Sequence, residues 1–526
     1  MDVLVAKFRE DYDTVSKDAI WQQHSAAFRR FCSNQVIQAA TLAFVVPFLA
    51  CFAAQAQTDV LLRVEKLEAK GNFRQADSLI QEALELGKYS PAETEPLEFE
   101  LERMSRIRKD YSLKKEDIYT QLHANNTNLT PREFSGWISK GWIDLKRIDG
   151  KTCFFRNGVE NLYYRHPELR ARGIHPDEEK TADGERKALL QFVRDVKAES
   201  ARLNTNYVLP RTYRVVEHAK VAGDVLVPGD AVKAWLPVPR IYPFQYGFKL
   251  LKSSFAPIAI APETSSIRSV YLEATNKGGA PLEFSLEYEV TSKVVHFTLN
   301  PAMIQSIDPL EPALNPHLQE GPHVVFTPEM KALSAKIVGS EANPMLKAKK
   351  IYDWQCEHLL YSCTRQYSTL TNISDDVRRN GYGDCGEQAL LFITLCRYNG
   401  IPARWQSGWM LLPGHPSQHD WSEIYLAPYG WLPVDPTMGN FVMHLFTALS
   451  PQEQIEVRDF YFGGLDQCRL IFNSDHSQKL EPPKKYFRSD DVDFQGAEIE
   501  TAAKNLYSDQ FTFELSFNVI TNSAAK

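Results

Sequence analysis

The sequence predicts a multidomain α+β protein. Three observations carry this prediction: a stretch after residue 57 whose apolar residues recur at helical spacing, a middle region from about 205 where they recur every second residue, and a later segment in which the two periods alternate. The 526 residues suffice for roughly three or four domains. With 44% hydrophobic and 11% aromatic residues, each can bury a core. Six regions are expected: a leader over 1–57, a helical region over 58–130, a mixed and unassigned stretch over 131–204, a β-sandwich over 205–325, a mixed core over 326–445, and a β-rich C-terminal segment over 446–526 that packs on the core.

The leader has no charged residue from Cys32 to Thr58, and Arg29 and Arg30 precede this run. Its apolar heart, "ATLAFVVPFLACFAAQAQ", is short for a span and ends in Ala54-Gln55-Ala56, a small-x-small cleavage pattern. This is the layout of a secretory signal peptide, or of a membrane anchor if it stays uncleaved. Export to the periplasm, the cell envelope or the exterior is therefore expected, with membrane association through this segment if it is retained.

Next, "VLLRVEKLEAKGNFRQADSLIQEALEL" places leucines and alanines at helical spacing around the break Gly71-Asn72. It reads as one helix pair of tetratricopeptide type, not an array. Such a pair is expected either to hold a protein partner, whose identity the sequence does not indicate, or to serve as an inert spacer. From about 205, "AVKAWLPVPR", "SIRSVYLEA", "LEFSLEYEVTS" and "VVHFTL" alternate, with Pro-Gly and Gly-Gly between them, as strands of a sandwich do.

Composition excludes several functions. A net charge of −7 with no long basic run gives no reason to expect nucleic acid. There is no dinucleotide-binding glycine motif, P-loop or His-Glu-x-x-His, and Cys356 and Cys363 lack partners at zinc spacing. No cofactor and no metal are expected.

The chemistry concentrates in "NGYGDCGEQALLFITLCRYNGIPARW", Asn380 to Trp405. "GYGD" punctuates the chain, and "CGEQALLFITLCRYNG" then runs apolar at helical spacing to a stop at Asn399-Gly400. Cys385 falls in the first helical turn, where unpaired N–H groups favour an anion and a thiol is expected to ionise more readily. Gly383 and Gly386 are expected to let a substrate backbone approach.

Further on, "HDWSEIYL" alternates and "WLPVDPT" follows a turn at Ala427–Gly430. An antiparallel hairpin centred on residue 427 sets His419 and Asp435, 16 residues apart, opposite each other on one face. Asp435 then holds one ring nitrogen of His419 while the other faces Cys385, giving nucleophile, base and orienter in one hydrogen-bonded line. Glu423 on the same face is expected to pair with Arg404, and Trp421 to pack under the histidine.

These motifs together, "GDCGEQALLFITLCRYNGIPAR", His419-x-Trp421-x-Glu423 and "GWLPVDPT" with Asp435, resemble the transglutaminase-like superfamily of papain-type fold. The resemblance spans residues 328 to 445, and "KAWLPVPR" lies in a region similar to the β domain that often precedes such cores. It implies an exported bacterial cysteine enzyme with Cys385 as nucleophile, His419 as general base and acid, and Asp435 as orienter. Trp354 becomes a candidate oxyanion donor beside the Cys385 N–H, by analogy with the upstream tryptophan of animal transglutaminases. The reaction expected is acyl transfer from a peptide or protein amide through a thioester on Cys385, with water as acceptor in a peptidase or amidase. Two alternatives stand beside it: a transglutaminase joining glutamine to a primary amine, and a catalytically silent scaffold that binds peptide or glycan.

Overall fold

The computed structural model describes residues 57–87, 89–169 and 176–520. The expected signal peptide or anchor lies outside the described residues. Among the described residues no helix is long and apolar enough to cross a membrane, and the six cysteines are all free. The chain divides into two compact units, one comprising residues up to 105 with 147–151, the other residues 106–146 and 152 onward. In the first, helix 57–69 turns at Gly71 into helix Phe73–Glu85. Phe73, Ala76, Ile80 and Ala83 form the buried stripe of the second helix at the spacing a one-sided helix requires.

The second unit holds three larger antiparallel sheets. Strands β1 (Tyr207–Val221), β2 (Ala231–Pro237), β3 (Gln245–Ser253), β4 (Ala259–Ile260), β5 (Ser269–Thr275) and β6 (Leu282–His296) come first. Two short parallel strands, β7 (Leu360–Tyr361) and β8 (Tyr382–Gly383), pair with each other. Then come β9 (Ala403–Met410), β10 (Ser417–Leu426), β11 (Gly430–Val434), β12 (Gly464–Leu465), β13 (Arg469–Asn473), β14 (Glu498–Thr501), β15 (Asn505–Leu506) and β16 (Phe511–Ile520).

One sheet runs β12-β6-β1-β16, with β3 also on β6, and another β15-β14-β2-β5-β4. Their inward residues, among them Val215, Ala234, Leu272, Phe284, Ile499 and Leu515, share one buried cluster. Each of the larger side chains among them, taken fully out of water, contributes roughly 1.5–3 kcal/mol. The C-terminal segment thus does more than pack on the core: its strands extend both of these sheets. β16 pairs along the whole of its length with β1, from Phe511 opposite Val221 to Ile520 opposite Thr212.

The third sheet, β11-β10-β9-β13, carries the candidate site. Around it lie helices α1 (Pro328–Val338), α2 (Pro344–His358), α3 (Ile373–Asn380), α4 (Cys385–Tyr398), α5 (Pro436–Leu445) and α6 (Pro451–Phe460). Every residue of α4 from Gly386 to Arg397 is buried. A helix buried on every side belongs in a core, and the apolar residues of α4 sit in the largest cluster with Trp405, Trp421 and Ile424 of the sheet. Cys356 lies on α2, which ends at His358.

Candidate active site

The start of α4 is set by a capping box. Asp384 is the N-cap: its Oδ1 accepts from the Glu387 N–H at 3.1 Å, and Glu387 Oε2 accepts from the Asp384 N–H at 3.2 Å. Cys385 is therefore the first helical residue, as the punctuation of the sequence indicated.

The glycines on either side of Asp384 and Cys385 have a different use from the one expected. A Cβ on Gly386 would fall inside the ring and hydroxyl of Tyr367, and one on Gly383 would strike Glu387 and Val377. The space beside the cysteine is occupied by the protein's own side chains. Through it Tyr367 Oη donates to Asp384 Oδ1 at 2.8 Å.

Strand β10 displays His419, Trp421 and Glu423 on one face and Asp420 and Ser422 on the other. Its register with β11 sets Ser422 opposite Val434 and Leu426 opposite Gly430. The hairpin is therefore centred one residue later than expected, so Asp435 stands just beyond the paired strand and not directly across from His419. The two still share a face, because the offset is even, and His419 Nε2 lies 2.9 Å from Asp435 Oδ2.

Asp435 is also the N-cap of α5, its Oδ1 accepting from the Met438 N–H at 2.9 Å. A guanidinium nitrogen of Arg469, on β13, lies 2.9 Å from Oδ2. Burial alone would raise the Asp435 carboxyl, but the neighbouring charges of His419 and Arg469 outweigh it and hold the group down at about 2. An ionised Asp435 accepts, so the nitrogen facing it, Nε2, is the proton-bearing one, and Nδ1 is the other ring nitrogen. Trp421 stacks on His419 with centroids 5.8 Å apart, and its indole donates to Gln406 Oε1 at 2.6 Å. Arg404 Nε donates to Glu423 Oε2 at 2.7 Å, the ion pair expected from the sequence.

The expected single line of sulfur, imidazole and carboxylate is formed only in its second half. The Cys385 thiol donates to Asp420 Oδ2 at 3.3 Å, and its hydrogen-bond partner is this carboxylate and not the His419 ring. The thiol is pushed well above its ordinary range, by burial first and then by the charges of Asp420 and Asp384. This reverses the expectation drawn from the helix start. A helix N-terminus is worth about 0.3–1 kcal/mol to an anion, too little to offset burial of a thiolate beside two acidic side chains.

Asp420 belongs to a set of side chains that no motif in the sequence announced. Its Oδ1 accepts from Gln495 Nε2 at 2.6 Å, and the same amide nitrogen lies 2.9 Å from the His419 carbonyl. Asp493 accepts from Ser407 Oγ at 2.5 Å and from the Phe494 N–H at 2.7 Å. A cleft of about 790 Å³ opens beside this set, lined by Gln366, Ser368, Trp409, Gln418, Asp493 and Gln495 among others. Only the capping box was readable, as the spacing Asp384-x-x-Glu387. Trp354 stacks on His358 within its own helix, centroids 5.2 Å apart, and hydrogen-bonds to no member of the site.

Residues 331–436 match the family model described as the transglutaminase-like superfamily. A Haemophilus influenzae protein with no assigned activity is 30% identical over 211 residues, which is 35% of this chain. The chain spans about half of that relative, 56% of its length. Among solved structures, one described as a candidate cysteine protease from Cytophaga hutchinsonii is similar with a TM-score of 0.40 and 17% identity, over 61% of this chain and 94% of that one. The periplasmic domain of TgpA from Pseudomonas aeruginosa is similar with a TM-score of 0.24 and 16% identity, over 44% of this chain and 96% of that one.

Proposed function

We propose, from the premise that residues 331–436 are a transglutaminase-like domain, that the protein is a cysteine-dependent acyl-transfer enzyme hydrolysing amide bonds. The observation that carries this reading is the buried His419–Asp435 pair at 2.9 Å on the strand next to the helix that begins with Cys385. A histidine whose Nε2 is held by an ionised aspartate presents Nδ1 as a base, which general acid–base catalysis requires and a packing histidine does not.

In this reading the Cys385 proton passes to His419 Nδ1 as the sulfur attacks the carbonyl carbon. The tetrahedral intermediate collapses to a thioester as His419 gives that proton to the departing amine. Water, deprotonated by the same nitrogen, then attacks the thioester, and the sulfur leaves with the proton restored. The Cys385 N–H, at the open end of α4, is a donor for the oxyanion. The cleft bordered by Gln418, Asp493 and Gln495 is where we seat the substrate chain, and we read the apolar leader as an export signal or anchor that directs the enzyme to the envelope.

The test is a screen of peptide libraries and cell-envelope fragments with the wild type and Cys385→Ala, run with and without a labelled primary amine. Amine or ammonia release that disappears in Cys385→Ala supports the hydrolase. Incorporation of the label that disappears in the variant reassigns the enzyme as a transferase. No difference between the two proteins across the screen leaves a binding scaffold.

A further inference from the structure

We propose that Asp420 is a positioning residue for the nucleophile: in the substrate-free protein its carboxylate holds the Cys385 sulfhydryl proton, and transfer to His419 starts only when that hydrogen bond is broken. The inference rests on the reading of Cys385 as nucleophile and adds how that nucleophile is restrained.

The geometry is specific. Asp420 is 2% exposed, and the charged group at its side is another carboxyl, Asp493, with which it shares a hydrogen bond. A buried carboxylate without a cation must collect hydrogen-bond donors instead. Oδ1 takes the amide of Gln495 at 2.6 Å; Oδ2 takes the thiol at 3.3 Å and stands 3.4 Å from Tyr367 Oη. Burial, with Asp493 and Asp384 close by, pushes the Asp420 carboxyl itself well above its ordinary range, and the S–H hydrogen bond is what favours its ionised form; losing the thiol proton would set an anion against it.

The titratable groups around the thiol act the same way. Asp384 stands on its own helix end, Asp420 on β10, Tyr361 on β7 and Tyr367 on the turn at Tyr367–Thr369, with Asp493 of the C-terminal segment behind Asp420. All are acidic or neutral. The Asp420 N–H acts in the opposite direction, as a donor to the sulfur. His419, on the other face of the same strand, is the base to which the proposed reaction hands the proton.

The same Gln495 amide grips both the Asp420 carboxylate and the His419 carbonyl, and Gln495 lines the cleft. A peptide lying in the cleft competes for that amide. Its binding is therefore coupled to the freedom of Asp420, and so to release of the thiol.

The experiment is alkylation of Cys385 by iodoacetamide in the intact, substrate-free protein, followed by mass spectrometry of the Cys385 peptide from roughly pH 6 to pH 10. In the wild type the midpoint is expected above the free-cysteine value of about 8.5. In Asp420→Asn, which keeps size and hydrogen bonding but removes the charge, it is expected to fall by about one unit or more, with roughly tenfold faster labelling at neutral pH. A wild-type midpoint at or below the free-cysteine value overturns the proposal without any variant, as does an unmoved or raised midpoint in a folded Asp420→Asn. Labelling does not depend on turnover, so these results are separable from the Cys385→Ala screen: that screen can fail with the midpoint shift intact, and the shift can fail with hydrolysis intact.

Discussion

Asp435 has two tasks, and two substitutions separate them. Asp435→Asn keeps an N-cap side chain for α5 but no longer fixes the proton on Nε2 of His419. On the proposed function hydrolysis is expected to fall by a factor on the order of 10²–10⁴, and because the substitution also leaves the buried Arg469 without one of its carboxylates, stability falls with it. Asp435→Ala loses the same charge and in addition removes the cap, worth about 1 kcal/mol more. Denaturant midpoints together with turnover distinguish the two. Because the folded carboxyl is held at about 2, below an unfolded value of about 3.9, its contribution is complete above that unfolded value and is lost as pH falls toward about 2. The difference in stability between wild type and Asp435→Asn should therefore shrink over that acid window and be constant above it. Gly386 gives a second residue-level expectation. In an ordinary helix Gly→Ala gains about 1 kcal/mol. Here the new Cβ would enter Tyr367 and crowd Trp405 at 2.9 Å. Overpacking of about 1–3 kcal/mol should more than cancel the gain, and a Gly386→Ala protein with a higher denaturant midpoint would refute this account of the glycine.

At the scale of elements, what the sequence made legible was local. The start of α4 was marked by turn residues and its end by Asn399-Gly400, and both stand in the structure because caps act within a few residues. The strands β10 and β11 were evident from alternation, and so was the pairing of Glu423 with Arg404. The register was missed by one step, because turn composition does not fix the central residue of a hairpin. The even offset preserved the shared face of His419 and Asp435 nonetheless. Alternation also conceals exceptions, and Glu217 is one. It occupies an inward position on β1 between Val215 and Ala219, fully buried, with Tyr288 Oη donating to it at 2.7 Å. Burial raises its carboxyl to about 8. A raised folded value means that its contribution is complete below an unfolded value of about 4.5 and is lost as pH rises through about 8. Melting curves of the wild type should decline over that interval, and Glu217→Gln, which resembles the protonated acid, should flatten the decline. Equal pH dependence in the two proteins would mean that Glu217 is not held neutral.

At the scale of the whole molecule, the site draws on parts of the chain that no motif connects. Cys385, His419 and Asp435 lie within the family match, but Arg469, Asp493 and Gln495 follow it, and the last two reach the site from a segment without regular structure. That segment is held by Glu498 of β14, whose carboxylate takes Lys484 Nζ at 2.7 Å and the Ser489 and Asp490 N–H groups at 2.8 and 3.1 Å. None of this was legible in the sequence, since pairing between distant strands and the docking of a strap leave no periodic trace. The consequence is that the transglutaminase-like core, taken by itself, lacks part of the site. A fragment of residues 326–445, the core bounded by sequence pattern alone, lacks β13 along the edge of β9, the Arg469 partner of Asp435, and the Gln495 clamp on Asp420 and His419. It exposes the β9 edge and the apolar face that Leu470 and Phe472 help to cover. It is expected to aggregate or to unfold without a cooperative transition. In the full chain, Glu498→Ala should leave the sheets assembled but loosen the strap, at a cost of about 3 kcal/mol or more for the buried Lys484 left behind. Hydrogen exchange is the measurement that tests this coupling: in Glu498→Ala, protection should fall over residues 484–495 and, through Gln495, over the backbone of His419 and Asp420. Loss of protection confined to the strap would show that the site stands without it.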